Sequence, residues 1–169
     1  MTSLYINGQW EDGAGDSFDS TDPATGKIIW TGNAASESDV GRAFTAAHDA
    51  FDGWSRMSLS ERLKPIMRFK ELAAAAKEGL GELIASETGK QLWDATGEGG
   101  AIAAKVDISL TAYNDRTGVS TRDVAFGRAD LQHRPHGVMA VLGPYNFPAH
   151  LPNGQILPSL IAGNTRSEE

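Results

Sequence analysis

The residues best suited to chemistry lie between Gly143 and His150, in the run Gly-Pro-Tyr-Asn-Phe-Pro-Ala-His. Asn146 stands between Pro144 and Pro148, whose rings fix φ and keep the intervening residues out of a helix. A side-chain amide held on so stiff a loop can be aimed while uncharged, which suits a donor to a developing oxyanion. Loop capping is the plainer role for such an asparagine. His150 follows at once and reads, from the residues alone, as a polar residue at a helix start.

Other candidates are weaker. His133 and His136 form H-x-x-H, but on an extended segment that spacing sends the two side chains to opposite faces, and no carboxylate pair completes a site, so no metal is expected. Gly97-Glu98-Gly99-Gly100 resembles a phosphate loop only superficially, because no strand precedes it and no Gly-Lys-Ser/Thr follows. It reads as a plain loop or helix start. Arg116, Arg128 and Arg134 read as solvated charges. The 169 residues contain no cysteine, which excludes disulfides and thiolate metal sites.

The elements that must position Asn146 can be read around it. Val138 to Leu142 is an apolar run rich in branched residues, expected as a strand buried on both faces. The loop then lies at the carboxyl end of that strand, where open α/β sheets bind ligands. From Asn153 the apolar residues Ile156, Leu157, Leu160 and Ile161 recur at helical spacing, and Gly163-Asn164 supply a stop. Together these make strand, loop and helix, the first half of a nucleotide-binding βαβ unit.

Upstream, Leu4 to Trp10 alternates around Asn7-Gly8, a hairpin signal. Asp22-Pro23-Ala24-Thr25-Gly26 punctuates a second strand pair, Ser17 to Ser20 and Lys27 to Thr31. Ser36 with Asp39 predicts a capping box, followed by a helical face of Val40, Ala43, Phe44, Ala47 and Phe51. A second helix is expected from Ser58 or Ser60 to Glu87, with Gly89 as its stop, Pro65 bending its start, and Gly79 and Gly81 as interior flaws. Ala101 to Tyr113 reads as a third. Val119 to Gly137 reads as a two-stranded ribbon turning at Phe126-Gly127-Arg128, too long to be stable unless packed on something.

A net charge of −7 without a basic face argues against a nucleic-acid partner. No apolar run approaches a membrane span, and the start carries neither a basic nor a hydrophobic leader, so a cytoplasmic location is expected. Forty per cent apolar residues are enough for a sizeable core in a soluble globular chain.

The loop Gly143-Pro144-Tyr145-Asn146-Phe147-Pro148 resembles the P-[WY]-N-F-P motif of the aldehyde dehydrogenase superfamily, and Glu87-Thr88-Gly89-Lys90 resembles its E-T-G-K segment at a similar distance upstream. Residues 112–118, 133–137 and 144–154 are most similar to the branch acting on N-succinylglutamate 5-semialdehyde in arginine catabolism. The resemblance implies an α/β fold: hairpins, helices, a projecting ribbon and the first strand, loop and helix of a Rossmann-like NAD-binding domain. Residues 1–118 and 135–169 would form an incomplete NAD-binding domain, and residues 119–134 the first part of an oligomerisation ribbon that joins copies of the chain.

It also implies roles. Asn146 would be the oxyanion donor, and Leu142, Gly143, Pro144, Tyr145 and Asn146 would run along the nicotinamide end of NAD. His150 would border the pocket of a small anionic aldehyde. The superfamily's K-P-S-E motif is replaced by Arg166-Ser167-Glu168-Glu169. Its nucleophilic cysteine and general-base glutamate fall beyond the matching stretch, with the catalytic domain. The expectation is a truncated N-terminal portion, inactive by itself.

Overall fold

The computed structural model describes residues 2–168. Strands β1 (Leu4–Ile6) and β2 (Gln9–Glu11) pair antiparallel across Asn7 and Gly8, at φ 49° and 79°. Two consecutive left-handed residues are what a tight hairpin between right-twisted strands requires, and Asn-Gly supplies them at least cost. Strands β3 (Ser17–Thr21) and β4 (Ile28–Asn33) pair around the second turn, where Asp22 accepts the N–H groups of Ala24 and Thr25 at 2.8 and 3.2 Å.

Helix α1 (Glu37–Arg56) starts with the expected reciprocal cap between Ser36 and Asp39. Its apolar stripe is only partly covered, with Val40 and Phe44 remaining exposed. The next segment departs from expectation, because the single long helix is two: α2 (Leu59–Ala75), capped by Ser58 with Glu61, and α3 (Lys77–Thr88), broken from it at Ala76. Gly89 ends α3 at φ 73°, as its position indicated.

Helix α4 (Leu92–Arg116) explains the break. It begins well before Ala101 and runs straight through Gly97-Glu98-Gly99-Gly100, so that segment is neither loop nor helix start. A Cβ on Gly81 would lie 2.7 Å from the Thr96 Cα, and one on Gly99 would lie 2.6 Å from the Lys77 carbonyl oxygen. These two glycines let α3 and α4 cross backbone to backbone, which turns α3 off the line of α2. The apparent flaw at Gly81 is therefore a packing requirement.

The principal core joins Ile66 of α2, Val106 of α4, and Leu157 and Ile161 of helix α5 (His150–Ile161). Trp54 packs on this cluster and donates its indole N–H to the Leu160 carbonyl at 3.1 Å. Strands β5 (Val119–Val124) and β6 (Gly127–Gln132) form the ribbon, turning at Ala125-Phe126 and not at Phe126-Gly127-Arg128. Among the described residues it pairs with no other strand, and Phe126 at its tip is 95% exposed.

Strand β7 (Val138–Val141) is one residue shorter than expected and is not buried on both faces, since Val141 is buried while Met139 and Ala140 are exposed. Its one hydrogen-bonded neighbour among the described residues is β8 (Thr165–Glu168), parallel, in register from Val138 opposite Thr165 to Val141 opposite Glu168. The polar sequence of β8 gave no strand signal. Here β7, α5 and β8 form a βαβ unit, fastened by Asn164, whose side-chain oxygen accepts the N–H groups of His136 at 2.6 Å and Gly137 at 3.1 Å.

Candidate functional site

The loop between β7 and α5 carries Leu142 to Asn146, and His150 is the first residue of α5. The Phe147 N–H points to the Pro144 carbonyl at 3.4 Å, closing a turn with Tyr145 and Asn146 at its corners. Asn146 is exposed, and its carboxamide makes no hydrogen bond to the described residues. Leu142 and Tyr145 are exposed as well, while Gly143 packs against Pro152, whose Cγ would lie 3.0 Å from an added Cβ. The turn thus presents an unengaged amide beside open backbone at the carboxyl end of a parallel strand.

Helix α5 begins at His150, three residues before Asn153, with Ala149 as a cap whose own side chain can accept nothing. The acceptor comes from α4. Glu98 is 5% exposed, and its Oε1 takes the N–H groups of Ala149 at 3.1 Å and His150 at 3.3 Å. A carboxylate at that end satisfies orphan donors and meets the positive end of the helix dipole.

The other oxygen of Glu98 receives the Lys90 ammonium at 2.6 Å. Lys90 also lies 3.6 Å above the centre of the Phe147 ring, a cation–π contact. Burial pushes the Glu98 carboxyl up, but the Lys90 hydrogen bond and the two backbone N–H groups outweigh it and hold the group below its ordinary value. The segment Glu87 to Lys90 and the loop around Asn146, separate in sequence, meet through Lys90.

His150 stands with its ring edge-on to Phe147, centroids 5.2 Å apart. Its Nδ1 is buried without a hydrogen bond, 3.8 Å from Glu98 Oε1. A recess of about 290 Å³ is lined by Trp93, Asp94, Glu98, Ala101, Phe147 and His150. His150 is both the first residue of α5 and part of the lining of this recess. Arg128 pairs with Asp130 and Arg134 with Gln132 on the ribbon, away from this recess. His133 reaches only the Gly118 carbonyl, at 3.3 Å.

Sequence reasoning passed over Glu98. Its signal was a lone carboxylate among the glycines and alanine of Gly97 to Ala101, since small residues on a helix mark close packing and a charge among them must find a partner there.

The β7, α5 and β8 unit with its proline-braced loop is an α/β arrangement, and the comparison with known proteins is specific. Residues 10–166 match the aldehyde dehydrogenase family, and the chain belongs to it.

Among curated relatives, the N-succinylglutamate 5-semialdehyde dehydrogenase of Hahella chejuensis (strain KCTC 2396) is 53% identical over 163 residues, covering 96% of this chain and 33% of that protein. Among solved structures, the NADP-dependent glyceraldehyde-3-phosphate dehydrogenase of Bacillus halodurans C-125 complexed with NADP superposes with a TM-score of 0.91 at 27% identity, over 99% of this chain and 37% of that one. A double mutant of betaine aldehyde dehydrogenase from Staphylococcus aureus in complex with NAD+ gives 0.88 at 25% identity, over 97% and 34%. The chain spans about a third of the length of these proteins. No helix among the described residues is long and apolar enough to cross a membrane.

Proposed function

We propose that these residues serve the oxidation of N-succinylglutamate 5-semialdehyde to N-succinylglutamate with NAD. The observation that carries the reading is Asn146, an unengaged amide at the corner of a turn braced by Pro144 and Pro148. An aldehyde releases hydride only after a nucleophile has added to its carbonyl, and the oxygen then carries negative charge. The Asn146 amide would donate to that oxygen, an interaction worth about 2.7–4 kcal/mol in the transition state.

NAD, when bound, supplies the acceptor for the hydride. The residues present fit its nicotinamide end, because Leu142, Gly143, Tyr145 and Asn146 are exposed along that loop. Pro144 has no N–H to give, so carbonyl oxygens and van der Waals faces provide the contact there. His150 and the recess beside it would take the substrate. Residues 1–118 and 135–169 would be the NAD-binding part, and residues 119–134 the ribbon.

The chain has no cysteine, so a thiolate nucleophile must come from outside these 169 residues. A chimera decides the matter. The 163 aligned residues of this chain replace the matching third of the Hahella relative, and reduction of NAD by N-succinylglutamate 5-semialdehyde is followed at 340 nm. Turnover is expected from the chimera and none from the 169-residue chain alone; a folded but inert chimera would reject the reading.

The ribbon favours an additional role. The two outer edges of the β5–β6 ribbon are open among the described residues, and such edges pair with further strands. We infer that they join a second copy of the chain in a homo-oligomer.

A further inference from the structure

We propose that Glu98, held by Lys90, is a positioning residue that sets the aim of the Asn146 turn. Four contacts bracket that turn on its carboxyl side. Lys90 lies on Phe147, the residue next to Asn146; Glu98 takes the N–H groups of Ala149 and His150; and Lys90 and Glu98 are joined at 2.6 Å. On the amino side the turn is tied to β7 through Gly143, seated on Pro152. Asn146 itself makes no hydrogen bond to the described residues, so its direction is inherited from these neighbours.

The arrangement costs more than a structural cap needs. A serine or aspartate at residue 149 would cap α5 locally. Instead a buried carboxylate is brought from α4 and neutralised by a lysine from the turn after α3, so that three elements fix one loop. The charged and titratable groups facing Glu98 are Lys90, His150 of α5, and Asp94 of α4, which lines the same recess. The inference rests on the reading of Asn146 as the oxyanion donor, but its test does not use activity.

The 15N-labelled full chain is followed by NMR from pH 7 toward pH 3. The backbone amides of Ala149 and His150 and the carboxamide of Asn146 are expected to move together, with one midpoint below the ordinary glutamate value. Lys90→Met should raise that midpoint by about 1–3 pH units, as loss of an adjacent opposite charge does, and Lys90→Arg should restore it. Glu98→Gln should abolish the titration at all three. Ala149 and His150 titrating while Asn146 stays still would overturn the proposal, because Glu98 would then only cap α5. Should the variants not fold, the wild-type titration alone decides between these outcomes. An inactive chimera would retire the reading of Asn146 as oxyanion donor without altering what the titration shows of Glu98 and the turn.

Discussion

Lys90 and Glu98 lie 2.6 Å apart with side chains 15% and 2% exposed, joining the turn after α3 to the second turn of α4 beside the Asn146 loop. A pair so placed repays its desolvation only while both members are present.

Removing one member strands the other. Lys90→Met should destabilise the chain by about 3–5 kcal/mol, since Glu98 is left buried and uncompensated. Urea denaturation of Lys90→Met, Glu98→Leu and the double variant measures this. The double variant should lose less than the two singles summed; strict additivity would mean the ion pair is not coupled.

Acid should act through two carboxylates. Glu98 is held below its ordinary value against the effect of burial, by Lys90 and the Ala149 and His150 N–H groups. Asp39 lies well below the carboxylate range, held first by Arg42 and then by the Ala14 and Ser36 N–H groups. Depressed folded-state values stabilise the fold above the unfolded values, about 3.9 for Asp and 4.3 for Glu, and that stability is lost as pH falls through and below them. Tm should therefore be level from pH 7 to about 5 and fall steeply toward pH 3. A Tm independent of pH down to 3 would show that neither group is engaged as described.

Two glycines of α3 should respond oppositely to alanine. Gly79 has nothing within 4 Å of a new Cβ, so Gly79→Ala should stabilise by about 0.8–1 kcal/mol through helix propensity. Gly81→Ala would press on Thr96 and should destabilise by about 1–3 kcal/mol, the usual result of overpacking. Thermal melts of both variants check the pair, and the same sign for both would refute the close crossing of α3 and α4.

Much of this architecture was legible because local chemistry and fold agree. Asn7-Gly8 needs left-handed φ and has it; Ser36 with Asp39 caps α1; Gly89 ends α3; and Gly143 to Pro148 stays out of helix. The failures arise where tertiary contacts decide. Nothing local marks Ala76 as a break, since alanine favours helix; the crossing at Gly81 and Gly99 produces it. Thr165 to Glu168 is too polar to read as a strand and is one because β7 lies beside it. Asn146 was singled out from its proline-braced loop, and the structure leaves it exposed at the corner of a turn. Glu98 was missed because its partners lie 8 and 51 residues away in the chain.

The oxyanion role of Asn146 is tested by kcat and KM of the chimera carrying the 163 aligned residues of this chain, compared with its Asn146→Ala form. The loss of a donor that acts in the transition state should lower kcat by about 10²–10³ with little change in KM. Equal kcat values in two folded proteins would contradict the account, and the oxyanion would then need another donor.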